Sequence, residues 1–163
     1  MTTWRRDAPL ALTLLTITAT LISCGPPSAG PAAKGDDPRL SAMGTVEVTA
    51  KLVEIPEGAI FKRDLYNYAT ILKYEVIKVH RGQIPATTIF VGHYTPWKPR
   101  AEAADNRVKD LGGDLKKFEA GQVHRMALEV PIDDYFMGGI VNKYFGQQTG
   151  ELYWAVWTNR ASE

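Results

Sequence analysis

A single cysteine, three histidines, a pair of adjacent aspartates and one aromatic loop carry most of the chemistry open to this 163-residue chain. Cys24 stands directly behind an apolar stretch ending Leu21-Ile22-Ser23. His80, His93 and His124 are the side chains that titrate near neutrality. A metal site would need His93 and His124 brought together with an Asp or Glu, yet no His-x-His or His-x-x-x-His pair exists. The simpler reading puts His124 at the rim of a core and His80 and His93 at strand ends, bonded to backbone carbonyls. Asp133 and Asp134 point apart if they lie in a strand; an acid and base pair would need them, or Glu129 and Asp134, across a cleft of about 5 to 9 Å. A helix cap beside a solvated acid is the plainer role.

Other chemistries are excluded by what is missing. From Gly44 to Ala161 there is no serine and no cysteine, which removes the nucleophiles of triad-type acyl transfer. None of the eight threonines in that span is N-terminal, as a threonine nucleophile requires. Gly112-Gly113 and Gly138-Gly139 lack the lysine and the strand-to-helix setting of a phosphate loop. More promising for recognition is His93-Tyr94-Thr95-Pro96-Trp97-Lys98-Pro99-Arg100, where two prolines stiffen a loop carrying aromatic rings and cations. His93, Tyr94, Trp97, Lys98 and Arg100 are therefore the candidate binding residues, offering a flat surface for a sugar or for a partner's side chains. The alternative is that Trp97 folds back to plug one end of the domain.

The elements that must position these residues begin with a segment that reads as a lipoprotein export signal, the alternatives being an ordinary secretory signal before a free cysteine or a short anchor that is never cut. Arg5 and Arg6 form a basic start, and Ala8 to Ile22 form a Thr-rich apolar run. The run is short of the about 20 apolar residues that span a bilayer and is followed by Gly25-Pro26-Pro27. Leu21-Ile22-Ser23-Cys24 resembles the lipobox of bacterial lipoproteins, with an aliphatic residue three before the cysteine and a small one just before it. The resemblance implies cleavage before Cys24 and a diacylglycerol on its sulfur, so that the membrane becomes a partner through the lipid anchor. Two or three acyl chains, at about 0.8 kcal/mol per buried methylene, make release negligible. Gly25 stands where the sorting pattern of such lipoproteins uses Asp for inner-membrane retention. The implied location is therefore the cell envelope, at the outer membrane and facing the periplasm.

Removing residues 1–23 leaves 140 residues and 17 basic against 17 acidic side chains, enough for one domain and no basic excess. Nucleic acid is thereby an unsuitable partner. Residues 24–43 are poor in large apolar side chains and rich in Pro, Gly and Ala, which predicts a tether of roughly 25 Å mean span. Residues 44–163 form the folded domain. With no second thiol, that domain rests on its core rather than on disulfides.

Alternation predicts five strands. Val46, Val48, Ala50 and Leu52 share one face; Tyr68 to His80 form a longer strand whose apolar phase switches near Val76, as a bulge would cause. Ile89, Val91 and His93 share a face of a third strand, and His124, Met126, Leu128 and Val130 share one of a fourth. In the last, Glu151 to Thr158, both parities are bulky, so it is covered on both sides. Residues 100–120 predict a short helix or two helical turns, and Asp133 or Asp134 caps a helical segment running through Phe136, Ile140 and Tyr144. The fold class is mainly β, a small five-stranded OB-like Greek-key barrel with one or two short helices. The stretches Tyr74 to Gly82, Ile89 to Val91 and Phe118 to Gln122 resemble the barrel of netrin-type and metalloprotease-inhibitor-type domains. Those domains' disulfides are absent here, and their inhibitory N-terminal cysteine is replaced by one expected to carry lipid. Inhibition is accordingly not implied.

The resulting expectation is a non-catalytic binding or scaffolding barrel, without cofactor, that engages a protein partner or an envelope polysaccharide. The competing expectation is a metal- or carboxylate-dependent enzyme acting on envelope glycans.

Overall fold

The computed structural model describes Met1, residues 37–60 and residues 66–161. Helix α1 (Pro38–Ala42) precedes six strands: β1 (Val46–Glu54), β2 (Ala69–Arg81), β3 (Thr88–Tyr94), β4 (Val123–Glu129), β5 (Ile140–Val141) and β6 (Leu152–Arg160). Five of them close into a barrel. The order β1-β4-β6-β3-β2 returns to its start because β1 pairs with β2 as well as with β4, while β5 adds to the outer edge of β2. All barrel pairings are antiparallel except β3 with β6. This is the OB-like Greek-key barrel that the strand pattern predicts.

Closing so few strands requires β2 to bend, and the ladder shows where. Thr49 pairs with Lys78 and the next residue, Ala50, with Val76, so Ile77 is skipped; Val48 pairs with Val79 and Glu47 with Arg81, so His80 is skipped. Bulges sharpen local twist. The first of them accounts for the phase switch near Val76 and leaves Ile77 exposed.

Alternation then sorts the core into two layers. Val48, Ala50 and Leu52, Leu72 and Tyr74, Ile89 and Val91, Met126 and Leu128, and Tyr153 and Ala155 point into the barrel, which Leu115 and Phe118 also help to fill. The opposite faces of β2, β3 and β6 bear Ile71, Phe90 and Trp154, which pack with Ile132, Phe136 and Tyr144 from the segment between β4 and β6. Tyr153 and Trp154 thus belong to different layers, as the two bulky parities of that strand predict.

Three expectations are corrected. Between β3 and β4 the described helical structure is one 3-10 turn, Arg100–Glu102, and the rest runs extended along the barrel, with Gly112 bridging to Trp157. Leu111, Leu115 and Phe118 are buried individually against the sheet rather than as one helical stripe. After β4, Ile132–Asp134 makes a second 3-10 turn without a side-chain cap, and the chain continues into β5 instead of a helix. Gly138 explains part of this: a Cβ there would strike the Phe136 ring. Finally, residues 37–43 of the stretch expected to be a tether belong to the fold. Asp37 caps α1 through the Arg39 amide and accepts from Trp157 Nε1 at 2.9 Å and Asn159 Nδ2 at 3.1 Å. Leu40 is buried, and the Arg81 guanidinium donates to the carbonyls of Leu40, Ser41, Met43 and Gly44.

Gly112 and Gly113 are present for close approach: a Cβ on the first would meet the Trp157 ring, and on the second, at φ +135°, the Thr158 carbonyl. Gly113→Ala combines backbone strain with a backbone clash and is expected to cost about 3 kcal/mol or more. Urea unfolding checks this, with the midpoint falling at unchanged m-value.

Candidate functional site

Of the residues singled out in the sequence, the His93 and His124 pair and the loop from Tyr94 to Arg100 lie in two places that do different things. His93 and His124 take the inward-facing positions next to Val91 on β3 and Met126 on β4, so both are fully buried inside the barrel. The Tyr74 hydroxyl lies between them, 3.0 Å from His93 Nε2 and 3.1 Å from His124 Nδ1. Phe118 covers the pair, its ring 4.6 Å from that of His93 and 5.7 Å from that of His124.

The hydrogen bonds fix the protons. Gln122 Nε2 donates to the Glu119 carboxylate, so Gln122 Oε1 is the acceptor facing His124 Nε2 at 3.1 Å, and that nitrogen carries its proton. His124 Nδ1 must then accept from the Tyr74 hydroxyl, whose oxygen accepts in turn from His93 Nε2. The chain of donors runs one way, from His93 to Glu119, and leaves His93 Nδ1 as a lone pair without a partner among the described residues. Burial holds both imidazoles below their ordinary pKa; Arg100 and then His124 add to this for His93, and Arg160 adds to it for His124, which falls to about 4. Burial raises the Tyr74 hydroxyl well above its ordinary value, against a smaller opposing effect of Arg100. Both imidazoles are thereby kept neutral and are joined through Tyr74 in one donor chain within the core, with His93 Nδ1 left over. His93 bonds a tyrosine hydroxyl rather than a backbone carbonyl, and His80 bonds Thr49 Oγ1 at 2.8 Å on the outside of the barrel. No group of three His, Cys, Asp or Glu side chains among the described residues is arranged to hold a metal ion. Asp133 and Asp134 are exposed on the 3-10 turn after β4.

The aromatic loop is folded inward. Arg100 is only 3 % exposed, and its guanidinium donates to the carbonyls of Tyr94 at 2.8 Å, Thr95 at 2.7 Å and Lys98 at 3.1 Å, with the Phe118 ring 5.1 Å away. Burial lowers its pKa to about 10, which leaves it charged at neutrality. Thr95 adopts φ +42°, unfavourable for a β-branched residue, and is held there by its amide bond to the Tyr68 carbonyl at 2.9 Å and by Arg100. Trp97 packs against Tyr68 with ring centroids 4.8 Å apart and is half-buried, as is Lys98. The flat exposed face expected of His93, Tyr94, Trp97, Lys98 and Arg100 is therefore corrected to a corner of the framework. The reason is that three carbonyls converge on one guanidinium.

That corner instead helps to build a pocket of about 380 Å³, lined by Asn67, Tyr94, Arg107, Val108 and residues Tyr135 to Gly138. Asp105 sets it. One carboxylate oxygen accepts from the Tyr94 hydroxyl at 2.8 Å and Asn67 Nδ2 at 2.6 Å, and the other from the amides of Arg107 and Val108. Burial, followed by the Asp105 bond, pushes the Tyr94 hydroxyl up to about 12, and the same hydrogen bonds hold the Asp105 carboxyl below its ordinary pKa against desolvation. Around the mouth stand Tyr135 and Met137, 46 % and 93 % exposed, with Tyr66, 80 % exposed, next to the lining residue Asn67. None of these was visible as a site in the sequence, because Asn67, Asp105 and Met137 come from three separate connections. Comparisons with protein families, with curated proteins and with solved structures return no match.

The buried imidazoles make a pH prediction. Their folded-state pKa values lie below the ordinary 6.5, so their contribution to stability is complete above that pH and is lost as pH falls towards 4. Asp37 and Asp105 titrate in a lower window, below 3.8. Chemical unfolding between pH 7 and 4 is expected to show falling stability in the parent protein. In His124→Gln the slope is shallower by as much as one proton, about 1.4 kcal/mol per pH unit. Equal slopes would remove His124 from the account.

Proposed function

We propose that this chain is an envelope lipoprotein, anchored through Cys24, whose barrel is a non-catalytic binding module for a protein partner. The observation that carries the binding half is the pocket between Asn67, Arg107 and Tyr135 to Gly138, with two large side chains, Tyr135 and Met137, exposed at its mouth. Tyrosine, methionine and arginine are enriched where proteins meet, and exposed aromatic and thioether groups gathered around a concavity mark recognition surfaces. A protein partner is favoured over a polysaccharide because the pocket's floor is apolar and its carboxylate, Asp105, is consumed by internal hydrogen bonds instead of facing outward for sugar hydroxyls.

The anchor rests on the sequence Leu21-Ile22-Ser23-Cys24, which lies outside the described residues. Among the described residues no helix is long and apolar enough to cross a membrane. On this reading the attachment point precedes Asp37, whose carboxylate accepts from Trp157 and Asn159 of β6.

Two measurements test the two halves. A photo-crosslinking amino acid in place of Met137 is expected to give one discrete adduct in intact cells, while the same group in place of exposed Ile77, on the bulge of β2, gives none; the reverse pattern would reject the loop face. Cys24→Ser is expected to abolish labelling by a clickable fatty acid and to leave the precursor uncleaved or the protein in the soluble fraction. Unchanged labelling and fractionation would reject the anchor.

A further inference from the structure

The pocket has a charge preference that its outline alone does not reveal. Asp105 is closed off, with both oxygens accepting two hydrogen bonds each from within the chain. Glu129, on the strand before the loop, is held by Thr45 through its hydroxyl at 2.8 Å and its amide at 3.2 Å. Asp133 and Asp134 lie on the turn leading to Tyr135 and do not line the pocket. Arg107 does line it, is exposed, and has no ion-pair partner among the described residues. Its charge reaches the floor, where it opposes the other influences that raise the Tyr94 hydroxyl. Among the described lining residues the one uncommitted charge is therefore positive.

The apolar part of the lining has its own preference. Tyr94 and Phe136 meet edge to face with centroids 5.4 Å apart, Phe136 stacks on Trp154 at 4.8 Å and 12°, and Gly138 is bare because a Cβ would strike the Phe136 ring. The floor is thus a set of rings locked by their neighbours, and a thioether stands at the mouth. A planar ring entering about 380 Å³ gains offset or edge contacts with these rings and a sulfur contact with Met137.

We propose that the pocket receives an aromatic side chain of the partner protein, flanked in that partner by a carboxylate that pairs with Arg107. This inference deepens the binding reading above and depends on it. Arginine suits the role, since its guanidinium takes a carboxylate bidentately and is more weakly hydrated than an ammonium.

The test uses the whole domain and three peptides of five residues, acetylated and amidated at their ends: Gly-Glu-Phe-Glu-Gly, its Gln-Phe-Gln counterpart and its Glu-Ala-Glu counterpart. Binding is read by amide chemical shifts in NMR titrations. The Glu-Phe-Glu peptide is expected to move the resonances of Asn67, Arg107, Val108 and residues 135–138. It is also expected to bind about two- to fivefold more tightly than Gln-Phe-Gln, the size of one partly exposed ion pair. Glu-Ala-Glu is expected to move none of them. Arg107→Gln is expected to remove the preference for Glu over Gln while the aromatic dependence stays. Equal affinity for the Glu and Gln peptides, shifts confined to other residues, or no binding of Glu-Phe-Glu would each overturn the inference. If a Met137 crosslink persists despite such a failure, the binding reading stands and only its charge and ring preference is lost; if the crosslink is absent too, both fall.

Discussion

One buried guanidinium governs how the long connection between β3 and β4 meets the barrel. Arg100 gathers the carbonyls of Tyr94, Thr95 and Lys98, which fixes the turn leaving β3, and its own amide donates to the Leu115 carbonyl at 2.8 Å. No carboxylate neutralises it among the described residues. Hydrogen bonds from a charged donor are worth about 1.5 to 3 kcal/mol each, and the face of Phe118 adds a cation–π contact. Lysine would not substitute, because a single ammonium on a flexible stem cannot hold three carbonyls in the geometry of a planar fork.

The same clamp serves both sides of the barrel wall. Inward, it sets Leu115 and Phe118 over the interior, where Phe118 excludes water from the Tyr74, His93 and His124 network. Outward, the chain that continues from Arg100 brings Asp105 to the Tyr94 hydroxyl and so forms one wall of the loop pocket. Tyr74, His93 and His124 are thus sealed in the core, and the exposed side chains suited to recognition lie on the loops. This division supports the binding role proposed above.

The barrel was legible in the sequence because strand parity is local. Val46 to Leu52, Ile89 to His93 and His124 to Val130 announce their buried faces by alternation, and the phase switch near Val76 announces the bulge. The connections were not legible, since their partners are distant in the chain. Leu111, Leu115 and Phe118 have a spacing that fits a helix, yet each is buried by a different contact with the sheet. The prolines around Trp97 read as stiffening an exposed platform; nothing local says that Arg100 would turn inward. One local signal does mark a connection. Asp37-Pro38 is a helix start, a capping carboxylate followed by proline at the first helical position.

The dependence of the rest on Arg100 is tested most directly by amide hydrogen exchange in the Arg100→Lys variant, which keeps the charge and removes the fork. The account predicts that protection of the amides of Thr95, Arg100 and Val108 collapses towards that of an open loop, while the β1 and β4 ladder keeps its protection. A variant whose exchange matches the parent at every one of these amides would contradict it.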